Sequence, residues 1–150
     1  MGDLSKIDLA WVAGILDGEG YVGAYKMGNF TRLKVAVTNT DPKMILKLYD
    51  MFGGNLYAFP PSPRKQVYSW SVQDSHATKV IAQVFPYLVT KADQARIALK
   101  FADTYVDNGK KLADGVFEKR KEWAEELKRL KKSSPYSSLW KEKTGKSPSI

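Results

Sequence analysis

The 150-residue sequence contains no cysteine and a single histidine, His76. The absence of cysteine removes disulfides, thiolate metal sites and thiol nucleophiles together. One histidine leaves a zinc cage short of ligands, and His76 reads as a surface or capping residue rather than a catalytic one. No apolar run approaches the ~20 residues that a membrane-spanning helix needs, so no membrane partner is expected. The opening stretch Met1-Gly2-Asp3-Leu4-Ser5-Lys6 lacks a basic segment followed by an apolar one. No secretion signal is indicated, and an intracellular setting is expected.

What is abundant is positive charge, and it is unevenly placed. The net charge is +8. Residues 1–20 carry −3, residues 21–73 carry +5, residues 74–109 balance, and residues 110–150 carry +6. A basic middle and a basic end favour a polyanion such as nucleic acid, although a lysine-rich solvated surface has the same composition. The run from Lys119 to Lys132 is interleaved with Glu118, Glu122, Glu125 and Glu126, and a solvated helix face is its better reading.

Periodicity predicts an α+β chain in the order α-β-β-α-β-β-α-α, with one further helix behind. Ser5 to Leu16 is a helix opened by a Ser5/Asp8 capping box and closed by Asp17-Gly18-Glu19-Gly20, whose glycines suit left-handed geometry. Strands over Tyr21–Lys26 and Thr31–Asn39 flank Met27-Gly28-Asn29-Phe30. In the second of these, Leu33, Val35 and Val37 alternate with Arg32, Lys34, Ala36 and Thr38. The alternation predicts an antiparallel sheet with one buried face and one wet, basic face, and helices on one side only. Pro42 opens a helix ended by Gly53-Gly54. A second hairpin spans Leu56–Phe59 and Gln66–Gln73, helices are expected over Ser75–Val84 and Ala92–Val106, and after Asp107-Asn108-Gly109 a charged amphipathic helix is expected to run to about Lys132. One domain over residues 5–132 and a basic tail over 133–150 are expected.

Asp17 and Glu19 sit at the electrostatically wrong end of the first helix. The dipole places partial negative charge there, and each acid loses about 0.3–1 kcal/mol relative to a neutral group. A cation compensates, and hard oxygen ligands suit Mg²⁺ or Ca²⁺. Ala10, Ala13, Gly14 and Asp17 follow an i, i+3, i+4, i+7 pattern of mostly small groups. Such a stripe admits the close approach of a second helix. If that helix belongs to another copy, two Glu19 carboxylates meet across a two-fold axis and again call for metal. Packing of the helix on its own domain, and a solvated Asp-Gly turn, account for the same residues.

The segment Val12-Ala13-Gly14-Ile15-Leu16-Asp17-Gly18-Glu19-Gly20 resembles the LAGLIDADG motif. The two hairpins, Thr38-Asn39 closing the second strand, and Pro86-Tyr87-Leu88-Val89-Thr90-Lys91 before a helix containing Gln94 are similar to the rest of that homing-endonuclease family. The resemblance covers about residues 5–106. It implies a saddle whose sheet lies on duplex DNA and whose motif helices form the central interface. With one motif, it implies a homodimer cutting a long near-palindromic site. Glu19 falls on the metal-binding acid, joined by the Gly18 carbonyl, with Mg²⁺ as the cofactor and Ca²⁺ or Mn²⁺ able to occupy the site. Asn39 falls where a polar residue orients solvent, Lys91 where a basic residue faces the scissile phosphate, and Lys43 where a further cation joins the pocket. Asp17 falls on an acid that closes the helix end, and Ala10, Ala13, Gly14 and Asp17 form the dimer interface.

DNA readout is then expected from one face of the strands: Tyr21, Gly23, Tyr25, Asn29, Arg32, Lys34 and Thr38, then Tyr57, Arg64, Lys65, Ser69 and Ser71. Arg32 and Lys34 suit either guanine edges or phosphates. A DNA-binding regulator or an RNA maturase on the same fold is the alternative to an endonuclease. Glu19, Asn39 and Lys91 together favour cleavage.

Overall fold

The computed structural model describes residues 3–61, 65–105, 114–132 and 136–146. The first helix, α1, spans Lys6–Glu19. The Ser5 hydroxyl accepts the Asp8 amide at 3.0 Å, and the Asp8 carboxylate accepts the Ser5 amide at 3.3 Å. This is the reciprocal cap read from the sequence. The other end differs from expectation. The helix continues through Gly18 to Glu19 and passes straight into strand β1, Gly20–Met27. Gly20 is extended, with φ −84° and ψ 161°, not left-handed. Glycine is needed there for proximity: a Cβ on Gly20 would lie 2.6 Å from the Leu16 Cα.

Strand β1 pairs antiparallel with β2, Phe30–Asn39, from Gly20 opposite Val37 to Met27 opposite Phe30. Gly28 takes φ +62° in the two-residue turn, where a tight hairpin calls for positive φ. Helix α2, Pro42–Phe52, is capped by Asp41, whose side chain accepts the Lys43 amide at 2.9 Å. Strands β3, Asn55–Phe59, and β4, Val67–Gln73, complete a four-stranded antiparallel sheet of order β1-β2-β4-β3. Helix α3, Asp74–Val84, and a 3-10 turn, Phe85–Tyr87, lead to α4, Ala92–Lys100. The helix expected to reach Val106 therefore stops at Lys100 and tightens into a 3-10 turn over Phe101–Thr104. Helix α5 is Val116–Lys132, and α6, Tyr136–Thr144, lies within the segment read as a tail.

The sheet has the two unlike faces that its alternation predicts. Val22, Leu33, Val35, Val37, Trp70 and Val72 turn inward and are essentially inaccessible. They meet Val12, Ala13 and Leu16 of α1, Ile45 and Leu48 of α2, and Ala77, Val80 and Ile81 of α3 in one core. The buried Trp70 indole N–H donates to the Gly53 carbonyl at 2.7 Å, which satisfies its only polar atom. The helices cover this face, and the opposite face carries Tyr21, Tyr25, Lys34, Thr38, Ser69 and Ser71. Among the described residues no helix is long and apolar enough to cross a membrane.

Candidate metal centre and nucleic-acid interface

The register of β1 on β2 places Gly20 opposite Val37, so Asn39 emerges two residues further on, beside the last turn of α1. There the Asn39 side-chain N–H donates to Glu19 Oε2 at 2.6 Å. The Asn39 Oδ1 accepts the Asp41 amide at 2.8 Å. That second bond decides which way the amide faces: its oxygen is committed to a backbone donor, so its nitrogen must meet the carboxylate. Asp41 is in turn the cap of α2. A helix start, a strand end and a helix end therefore converge on one exposed carboxylate.

Asp17 has a different task. Its two carboxylate oxygens accept the backbone amides of Val89 and Lys91, each at 2.9 Å. The Lys91 Nζ donates back to the Asp17 carbonyl at 3.1 Å. One of the outward carbonyls at the end of α1 thereby receives a cation, the compensation its dipole favours. Asp17 is spent as a bracket for the segment before α4, whereas Glu19 is exposed and meets the Asn39 amide.

Among the described residues no three acids or histidines cluster as a ready cation cage. A single chain offers the Glu19 carboxylate and the neighbouring Gly18 carbonyl, both exposed. These are hard oxygen donors, right in kind for Mg²⁺ or Ca²⁺. They fall short of six, so a divalent ion held there needs further oxygen ligands, water among them. His76 takes no part: its Nε2 lies 2.8 Å from the Phe52 carbonyl and ties α3 to the end of α2.

The outer sheet face is organised in cross-strand rows. Tyr21, Ala36, Ser71 and Asn55 form one row, and Thr38, Ser69 and Tyr57 the next. Tyr21, Tyr25, Lys34, Thr38 and Ser69, with Ala36 and Phe59, line an open groove of about 520 Å³. The structure thus brings five of the expected DNA-reading residues to one groove, with Tyr57 exposed at its margin. Ser71 is half-buried beyond it, Asn29 is exposed at the hairpin tip, and Lys65 and Lys43 are exposed elsewhere. Arg64 lies outside the described residues.

Two residues behave differently from the others. Arg32 is engaged: its Nε donates to Asp74 Oδ2 at 2.6 Å, and its Nη2 to Gln73 Oε1 at 3.4 Å. Gln73 then donates to the Tyr25 hydroxyl at 2.7 Å. Asp74 holds φ +52° to do this, an uncommon backbone for a non-glycine residue. Gly23 is buried and offers no surface for a base or phosphate. The space its missing side chain leaves is filled by the Tyr21 ring and the Lys131 amine. Lys131 Nζ lies 3.7 Å from the centre of that ring. Burial, then the neighbouring Tyr25, pushes the Tyr21 phenol up. Burial, then the charge of Lys91, pulls the Lys131 amine down. Lys131 is exposed, as a solvated helix face requires, and its amine turns onto the outer side of β1. The available signal was its place one turn beyond Leu127, which is buried, and beside Leu130.

The expected interface stripe splits. Ala10 and Gly14 are exposed, and a Cβ on Gly14 would meet nothing within 4 Å. Ala13 is fully buried in its own core and has no surface for a partner. Its place on the open face is taken by Ile7, 84% exposed at the foot of the same helix.

No family model matches the chain, and no curated protein matches it in sequence. Solved structures do match. The homing endonuclease I-CvuI, in complex with the I-CreI target in the presence of Mg, superposes with a TM-score of 0.68 at 18% identity, over 86% of this chain and 85% of that one. The archaeal intron-encoded homing endonuclease I-Vdi141I, complexed with DNA, gives 0.68 at 14% identity over 85% and 86%. The I-LtrWI LAGLIDADG homing endonuclease bound to target DNA gives 0.54 at 16% identity, over 86% of this chain but only 45% of that one. The chain has the LAGLIDADG homing-endonuclease fold, at the extent of its single-motif form.

Proposed function

We propose that this protein is a site-specific endonuclease for duplex DNA that works as a homodimer with Mg²⁺. The observation that carries the reading is the Glu19–Asn39 contact at the end of α1, with Lys91 anchored beside it. A carboxylate held by an amide that has no freedom to turn is preorganised, and it stands at the border of a basic, hydroxyl-rich sheet face. The solved structures named above hold DNA, and in the I-CvuI complex in Mg that DNA is not cleaved.

In this reading Glu19 and the Gly18 carbonyl hold the divalent ion. Such an ion supplies a nucleophilic water at neutral pH and charge stabilisation for the leaving oxygen. The chain's own contributions are positional. Asn39 fixes the rotamer of Glu19 and, with its second N–H, can orient solvent. Asp17 holds the 89–91 segment so that Lys91 stays beside the helix end, where its ammonium neutralises a phosphate. Tyr21, Tyr25, Lys34, Thr38, Tyr57 and Ser69 contact the duplex from the groove and its margin, Asn29, Lys65 and Ser71 add contacts beyond it, and Arg64 is a further contact on the strength of the sequence alone. Arg32 contributes through the donors that Asp74 and Gln73 leave free. Ile7, Ala10 and Gly14 pair α1 with its twin, which brings two Glu19 groups to one axis and two nicks to one site. Residues 5–132 form the nuclease unit, residues 133–150 are an appended basic segment, and a DNA substrate places the protein inside the cell.

Glu19→Gln tests this. It keeps the shape and removes the charge. Cleavage in Mg²⁺ is expected to fall at least 100-fold while duplex affinity, measured by anisotropy in Ca²⁺, changes less than threefold. Cleavage by Glu19→Gln at the wild-type rate, or a wild-type protein with no affinity for any duplex, contradicts the assignment.

A further inference from the structure

Helix α5 is pinned to the core by Leu127, 1% exposed, and by Trp123, whose ring centre lies 5.2 Å from that of Phe101. One turn beyond Leu127, that anchoring carries Lys131 onto the outer side of β1. Its amine rests over the Tyr21 ring in a notch that exists because residue 23 has no side chain. Two lysines from distant parts of the chain thus flank the start of β1, Lys91 at the Asp17 carbonyl and Lys131 on the Tyr21 ring, and the charge of Lys91 reaches the Lys131 amine. Among the described residues neither has an acidic partner: the ion pairs there are Arg32 with Asp74 and Arg96 with Asp93. Two cations gathered at the start of β1 disfavour the free protein, and the cation–π contact at Lys131 compensates only in part. An anion seated between them restores the balance.

The geometry points to Lys131 as a second phosphate-binding residue of the cleavage centre, seating with Lys91 the backbone phosphodiester next to Glu19. Tyr21 is its platform, and Gly23 is the gap that admits it. This rests on the endonuclease reading and adds a residue from outside the stretch that resembles the motif family. It also explains why Gly23 is a glycine although its backbone φ is unremarkable: a methyl group there would collide with the Lys131 amine and lie 2.6 Å from the Tyr21 hydroxyl oxygen.

The test uses the full chain and a duplex that wild type cuts, with Glu19→Gln as the uncleaving control. Lys131→Met keeps the stem on Tyr21 and removes the charge. Single-turnover cleavage should slow about 10- to 100-fold, as for loss of one charge-assisted contact. The log–log salt dependence of binding should flatten by about one per protomer. Lys131→Arg should retain most of both. Gly23→Ala, which evicts the amine without touching its charge, should slow cleavage in the same direction. Lys119→Met, about 18 Å away along the same helix, should leave the cleavage rate unchanged. Thermal melting of each variant separates loss of folding from loss of contact. If Lys131→Met cuts at the wild-type rate with the wild-type salt slope, or Lys131→Arg is no faster than a folded Lys131→Met, the inference fails and the nuclease reading stands. If wild type cuts no duplex at all, both fall together.

Discussion

Replacing Asp17 by Asn changes one atom of the bracket that joins α1 to the segment before α4. The carboxylate now accepts two backbone amides, Val89 and Lys91, at 2.9 Å each. The amide has one accepting oxygen, and its NH₂ group must turn toward the other N–H. One charge-assisted bond is lost outright, worth about 1.5–3 kcal/mol, and the remaining one falls to neutral strength. Asp17 is only half-buried, so water takes up part of the loss and about 2 kcal/mol is the expected sum. For a chain of this length that is a fall in melting temperature of about 4–8 °C, read by circular dichroism, with an unchanged denaturant slope. The functional loss should exceed the stability loss. Lys91 is held both by its amide and by its ammonium contact to the Asp17 carbonyl, so cleavage at 20 °C, where the variant is folded, should fall at least tenfold. A melting temperature within 1 °C of wild type and undiminished cleavage would refute the bracket.

Gly14→Arg tests the dimer. A side chain there meets nothing within 4 Å in the protomer, so the fold should tolerate it, while a helix pairing through that face should not. Analytical ultracentrifugation is expected to show a folded monomer that no longer cuts both strands, and an intact dimer would move the interface elsewhere. Gly20→Ala should destabilise by about 1–3 kcal/mol through overpacking against the Leu16 backbone. If urea denaturation shows no loss, the account of how α1 runs into β1 is wrong.

Local periodicity carried most of the fold. The alternation from Leu33 to Val37 sets the two faces of β2, and Ser5 with Asp8 marks the start of α1. The end of α1 was misread because Gly18 and Gly20 signal a break by conformation, whereas the chain uses Gly20 for a close approach to Leu16, a contact that propensity does not encode. The helix after Ala92 was drawn too long for a related reason. Nothing in the pattern marks Lys100 as its end, and the tightening over Phe101–Thr104 accompanies burial of both Phe101 and Thr104.

The candidate site was legible where motif and register coincide, as at Glu19 and Asn39. It was not legible where partners come from far along the chain. Arg32 is tied to Asp74, 42 residues away, and Lys131 reaches Tyr21 from the far end of a charged helix. Ala13 shows the limit of a small-residue stripe: spacing places it beside Ala10 and Gly14, but only packing decides that it faces inward.

The most direct measurement is cut-site sequencing after incubating wild type with a randomised duplex library, with Mg²⁺ and with EDTA. The account predicts Mg²⁺-dependent double-strand breaks at a restricted set of near-palindromic sequences, with nicks placed symmetrically about the centre. Breaks that persist in EDTA, scattered breaks without a sequence, or no breaks at any protein concentration that saturates DNA binding would contradict it.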